Sequence, residues 1–231
     1  MTPGGHTPAP DTAPGARPGP GGKGRGSPGG GRIPAGPLLV LAAILGAVRL
    51  AAAAGAGAPW PLSSPPVVAA ALFLYVPLVK YARRPPAWLG IPDPRGALLL
   101  TAGIAAGAAA AFLLYRRLPL PPFLLPAPGP RPPFAEFALA QIALAALPEE
   151  IFFRGYLFDA FSDRRAAPVA ATAALFAAAH LAILFTPYRA LTLFPGLLLG
   201  WARRRSGTIW CPAALHASFN LLPYLTERMG P

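Results

Sequence analysis

The chain has 231 residues, 54% of them apolar and only 12% charged. A soluble globular domain carries roughly 25% charged residues, so this chain lacks the charge to coat a water-facing surface and reads as a polytopic membrane protein. The net charge of +12 does not point to nucleic acid. Its cations sit in short clusters between apolar blocks, as Lys80, Arg83 and Arg84 do, which is how a membrane protein fixes its orientation.

Residues 1–36 hold 12 Gly and 8 Pro and no apolar run. Such a stretch cannot bury enough surface to offset its ordering entropy, so it is expected to be a disordered cytoplasmic tail. It has no apolar h-region and is not expected to be a cleaved signal peptide.

From Pro37 to the C-terminus the expected fold is all-α, a transmembrane helical domain over 37–231. Seven apolar segments run at about 37–58, 61–79, 96–115, 134–158, 167–186, 189–202 and 207–226. Their Ala and Leu content suits helices, and most have the roughly 17–25 residues that a bilayer requires. Arg49 interrupts the first and must snorkel or pair. The sixth is short, with Pro195–Gly196 inside it, and 118–133 is a proline-rich connection. Trp201, Trp210 and Tyr188 read as interface anchors, Glu136 as interfacial, and Cys211, the single cysteine, as a small buried hydrophobe.

With the N-terminus in the cytoplasm, thirteen cations fall on cytoplasmic stretches and five outside, while Arg49 and Arg154 lie within segments. The expected location is therefore a multi-pass protein of the cell membrane with its N-terminus cytoplasmic. The Ala, Gly, Pro and Arg bias suggests a high-GC bacterial genome, hence a bacterial inner membrane.

The polar residues of the last four segments carry the chemistry: Glu149, Glu150 and Arg154 on the fourth, His180 on the fifth, His216 and Asn220 on the seventh. A charged group at mid-membrane costs several kcal/mol, so each is a functional hypothesis. Counted from the nearest cytoplasmic charge at about 1.5 Å per residue, Glu149 lies roughly 15 Å deep, His216 roughly 16 Å, and His180 and Asn220 roughly 22 Å. Three helices thus place their polar groups in one layer about 7 Å thick. Glu150 and Arg154 are an i,i+4 pair in the favourable order. Glu149 points about 100° away from Glu150, so one acid can pair with Arg154 while the other faces a cavity. A carboxylate beside a histidine in low dielectric is a general-base arrangement.

Three motifs recur in these residues as written: EExxxR at Glu149–Arg154, FxxxH at Phe176–His180 and HxxxN at His216–Asn220, with a glycine-rich stretch and basic turn from Gly196 to Trp210. In this order the chain resembles the CPBP family of intramembrane proteases, which includes the type II CAAX prenyl endopeptidases, over about residues 134–222. The resemblance implies an endopeptidase with a cavity inside the membrane. Glu149 would be the base that activates water, assisted by His180. His216 and Asn220 would line the oxyanion region, with Glu150 and Arg154 supporting.

The family is described both as metal-dependent and as glutamate-type. The chain has no HExxH, and Asn is a poor zinc ligand, which favours a metal-free mechanism; a metalloendopeptidase site would use zinc on Glu149, His180 and His216. The expected partners are the lipid bilayer and a membrane-anchored protein or peptide cut near its C-terminus, as in the processing of C-terminal sorting or anchor signals. The competing readings are a non-catalytic membrane scaffold, a bacteriocin self-immunity protein, or a proton-coupled carrier. A carrier would more often show inverted repeats, and none is visible.

Overall fold

The computed structural model describes residue 1 and residues 34–55, 64–119, 121, 132–162, 167–183 and 185–227. The tail 2–33 and most of the proline-rich connection lie outside the described residues. The chain divides into two units, 1–30 and 31–231, and the second holds all the helices below. No strand occurs among the described residues.

Helix follows helix in chain order: α1 (Ala35–Ala54), α2 (Pro65–Tyr81), a 3₁₀ turn (Ala87–Leu89) and α3 (Pro94–Tyr115). Then comes α4, an unbroken helical run over 134–162, then α5 (Pro168–Ile183), a single turn (Pro187–Ala190), α6 (Leu193–Ser206) and α7 (Trp210–Glu227). Among the described residues, each of the seven apolar segments of the sequence thus falls on one of the helices α1 to α7. Two of them, Ala35–Ala54 and Pro94–Tyr115, are long and apolar enough to cross a membrane; Pro65–Tyr81 and Pro168–Ile183 are apolar but shorter.

α3 begins at a proline behind Asp93, whose carboxylate accepts the Gly96 N–H at 2.9 Å. This satisfies one of the free donors of the first turn. None of its residues is buried, and Leu98, Leu99, Leu113 and Leu114 are exposed. An outward face of that kind suits hydrocarbon and not water.

The interior is aromatic. Phe73 of α2 and Phe152 and Phe153 of α4 pack with Leu41, Ile44 and Val48 of α1 and Phe176 of α5. Ring centroids lie 4.8 Å apart for Phe73–Phe152 and 5.2 Å for Phe153–Phe176. α6 meets α5 closely because Gly196 and Gly200 face it. A Cβ on Gly200 would come within 3.2 Å of Val169, and one on Gly196 within 3.4 Å of Ala173. Glycines four apart let two backbones approach in this way. Gly207, at φ +69, ends α6 in the left-handed region, and its N–H caps the Arg203 carbonyl.

One end of the bundle is tied together by hydrogen bonds. Asp159 near the end of α4 accepts the Tyr81 hydroxyl and the Trp88 indole N–H, both at 2.9 Å. Burial, then the Asp159 carboxylate, push the Tyr81 phenol above its ordinary value, so it remains a donor. The Trp88 carbonyl takes the Ile209 N–H at 2.9 Å, and Trp210 Nε1 donates to Leu89 at 2.8 Å.

Other expectations resolve locally. Cys211 is buried, its sulfur 3.0 Å from the Thr101 hydroxyl, and Glu136 is exposed in the first turn of α4. Arg49 pairs: its Nη1 donates to the Ile183 carbonyl at 3.0 Å, at the end of α5. Trp201 and Trp210 are both exposed, Trp210 with its Nε1–H on the Leu89 carbonyl, and Tyr188 lines a cavity.

The Trp88 ring leaves no room above α4. A Cβ on Gly155 would meet two of its carbons at 2.7 Å, whereas one on Gly46 would meet nothing within 4 Å. Gly155→Ala is expected to cost about 1–3 kcal/mol through overpacking. Gly46→Ala is expected to be neutral or to stabilise by up to about 1 kcal/mol. Thermal unfolding of the purified variants in detergent measures both.

Candidate active site

α4 is not a uniform α-helix. Gln141–Ala146 and Ile151–Leu157 are π-helical and flank the short α-turn Leu147–Glu150. In a regular α-helix Gln141 and Glu149 would stand roughly 80° apart around the axis. The wider i→i+5 turns close that gap, and both residues line the same cavity. Such π stretches are frequent where a helix must present functional side chains.

The two adjacent acids separate as their angular offset requires. Glu150 points inward and is fully buried, with Oε1 2.9 Å from Arg154 Nη1. The same oxygen accepts the Nδ1–H of His216 at 2.9 Å. Arg154, also fully buried, donates from Nη2 to the Gly196 carbonyl at 3.0 Å and lays its guanidinium 4.4 Å from the centroid of the Phe176 ring. Its own carbonyl accepts Arg203 Nε at 3.0 Å. Four helices thus converge on one ion pair.

Glu149 turns the other way, into a cavity of about 830 Å³ that His180, His216, Asn220 and Gln141 also line. Its Oε2 is buried and has no hydrogen-bond partner among the described residues. It lies 4.0 Å from Nε2 of His180 and 4.0 Å from Nε2 of His216. The tautomers follow from the partners. His180 Nδ1 is 2.9 Å from the Phe176 carbonyl, which can only accept, so Nδ1 carries the proton. Glu150 fixes His216 likewise. In the neutral form of either ring Nε2 is therefore the acceptor, and both Nε2 atoms lie 4.0 Å from Glu149 Oε2.

Acceptors 4.0 Å apart are spanned by one water donating both hydrogens at about 2.8 Å. A tetrahedral zinc, with bonds of about 2.0–2.1 Å, draws its ligand atoms to within about 3.4 Å of one another. Among the described residues no group of three His, Cys, Asp or Glu side chains stands in metal-holding geometry. The donor types suit zinc, but the separations as they stand do not.

Asn220 donates from Nδ2 to Gln141 Oε1 at 2.9 Å, which leaves its second N–H and its carbonyl oxygen for the cavity. Glu149, His180, His216 and Asn220 therefore line the cavity, and Glu150 and Arg154 lie directly behind its wall. Sequence reasoning missed Gln141 and the rim residues Thr186, Tyr188, Arg189 and Thr192. Gln141 had a usable signal, since it is an amide inside an apolar segment, as Asn220 is. The rim residues lie at the junction of the fifth and sixth segments and had none.

No curated protein and no solved structure matches the chain. A family model does: residues 131–222, the stretch with all three motifs and the four helices that meet at the ion pair, match the type II CAAX prenyl endopeptidase Rce1-like family of membrane-embedded proteases.

Proposed function

We propose that the chain is a multi-pass intramembrane endopeptidase that cuts a membrane-anchored protein near its C-terminus, by attack of water activated by Glu149. The observation that carries this reading is the cavity-facing carboxylate oxygen of Glu149, without a hydrogen-bond partner among the described residues and 4.0 Å from the Nε2 atom of each of two imidazoles. The family match supports protease chemistry in a membrane.

Water held between Glu149 Oε2 and His180 Nε2 gives one proton to Glu149 as its oxygen attacks the scissile carbonyl carbon. The carbonyl π pair moves onto oxygen, and the resulting oxyanion accepts the free Nδ2–H of Asn220. His216 becomes a second donor only when its Nε2 is protonated, because Nδ1–H is committed to Glu150. Glu149 then passes its proton to the leaving nitrogen as the C–N bond breaks. Gln141 holds the Asn220 amide in orientation. Glu150 and Arg154 set the His216 ring without touching substrate. The mechanism is proposed as glutamate-type, with no step routed through a metal.

Purified protein in detergent, tested on internally quenched peptides with and without an S-prenylated cysteine near the C-terminus, examines this. Glu149→Gln is expected to lower cleavage by roughly 10²–10⁴-fold and to leave the fold intact. A scaffold, an immunity protein or a peptide carrier would not cleave at all. Cleavage that survives Glu149→Gln would sink the assignment. Chelator is expected to leave the rate unchanged; loss of activity that zinc restores would overturn the metal-free mechanism.

Arg154→Met is expected to act differently. It strands the buried Glu150 charge and should destabilise the protein by about 3–5 kcal/mol. The double variant Glu150→Gln, Arg154→Met should recover much of that loss, read by thermal unfolding in detergent.

A further inference from the structure

The described residues that line the cavity gather toward one end of the bundle. Val48 late in α1, Pro65 and Pro66 at the start of α2, Gln141 early in α4 and Ile183 at the end of α5 line it, and Thr186–Thr192 form its rim. Phe185 on the same connection is 85% exposed. In the opposite direction the way is shut. Glu150, Arg154, Phe152 and Leu157 are fully buried directly beyond Glu149. Below them the Asp159, Tyr81, Trp88 and Arg203 contacts join α2, α4 and α6. A smaller groove of about 470 Å³ at that closed end is lined by apolar residues such as Leu74, Pro77 and Ile151, and reaches none of Glu149, His180, His216 or Asn220.

The two ends also differ in charge. The closed end carries Lys80, Arg83, Arg84, Arg95 and the run Arg203–Arg205, close to the helix termini where cations decide orientation. The open end has Arg49, Arg116, Arg117 and Arg189 among its described residues. Arg49 is already committed to the Ile183 carbonyl. The cation-rich end belongs in the cytoplasm.

From these two asymmetries we infer that the catalytic cavity faces the extracytoplasmic side. The inference rests on the protease reading above and narrows its substrate: a membrane-anchored polypeptide whose scissile segment lies outside the cytoplasm. A prenylated tail held on the cytoplasmic leaflet would meet the sealed end of the bundle and not the water-activating carboxylate.

Membrane-impermeant maleimide labelling tests this on the full chain expressed in the inner membrane of a bacterial host. The natural Cys211 is buried, so wild type serves as the blank. Phe185→Cys reports the open end, and Ala82→Cys, exposed beside the basic cluster, reports the closed end without removing a cation. Leu118→Cys, exposed on the neighbouring connection, repeats the first reading should Phe185→Cys insert poorly. In intact spheroplasts the open-end cysteine is expected to label at least tenfold more than Ala82→Cys, which should label fully only after permeabilisation. The reverse pattern, or equal labelling of both ends in intact spheroplasts, overturns the inference. Adding Glu149→Gln to each variant should leave labelling unchanged. The orientation can therefore fail while the protease reading stands, and the protease reading can fail while the orientation stands.

Discussion

The site depends on a buried ion pair that is expensive to bury. Glu150 and Arg154 are both fully buried, and two such charges gain nothing in low dielectric unless their remaining donors and acceptors are met. Most of them are. Arg154 has the carboxylate, the Gly196 carbonyl and the face of Phe176; Glu150 has Arg154 and His216. The unmet atoms are Glu150 Oε2 and Arg154 Nε. Since these partners come from α4, α5, α6 and α7, the pair acts as a keystone whose geometry those helices share. What it secures is orientation: it commits His216 Nδ1 and so aims Nε2 into the cavity. The same commitment leaves Glu149 Oε2 without a hydrogen bond among the described residues, 4.0 Å from two imidazoles. A carboxylate held only at that distance, next to one hydrogen-bonded twice, is how two adjacent acids come to do different work.

Backbone geometry makes this division possible. Two residues in sequence can face apart by about 100° on any helix, so the EE doublet needs no special fold. Bringing Gln141 into line with Glu149 does need one, and the π stretch Gln141–Ala146 between them supplies it. The close approaches are set by glycines. Gly196 and Gly200 bring α6 against α5, which puts the Gly196 carbonyl within reach of a guanidinium held on α4. Gly155 admits the Trp88 ring over α4, and that ring carries the indole N–H bonded to Asp159.

The sequence made the helices and the residues of the site legible, because both are governed by local periodicity. Apolar segments gave the helices α1 to α7 among the described residues to within a few residues, and two of these are long and apolar enough to cross a membrane. The i,i+4 spacing gave the Glu150–Arg154 pair and the shared face of Phe176 and His180, which the structure brings to 4.4 Å between ring centroids. Depth arithmetic gave a common layer. Contacts between distant elements were not legible. Trp88 and Asp159 are 71 residues apart, Asn220 and Gln141 79, and nothing in either neighbourhood names the partner. Tyr188 looked like an interface aromatic, since from sequence alone a turn at a helix end cannot be told from a cavity rim. Depth counted along each helix is also blind to direction. It sets how far a group lies from one end, not which end is open.

That last distinction decides what the site can receive. A hydrolytic cavity in a bilayer needs a path for water and for a peptide backbone, yet must keep the catalytic carboxylate in low dielectric. A channel open at both ends would flood Glu149. Here one wall is built of the Glu150–Arg154 pair, neither member of which can be removed without stranding the other's charge, and of the aromatic layer behind it. The other wall is built of helix ends and short connections, Thr186, Tyr188, Arg189 and Thr192 among them. The scarcity of charge that marks the chain as a membrane protein therefore also divides it. The cations gather at the closed end, the buried pair seals it, and the open end keeps one unpartnered carboxylate oxygen for water.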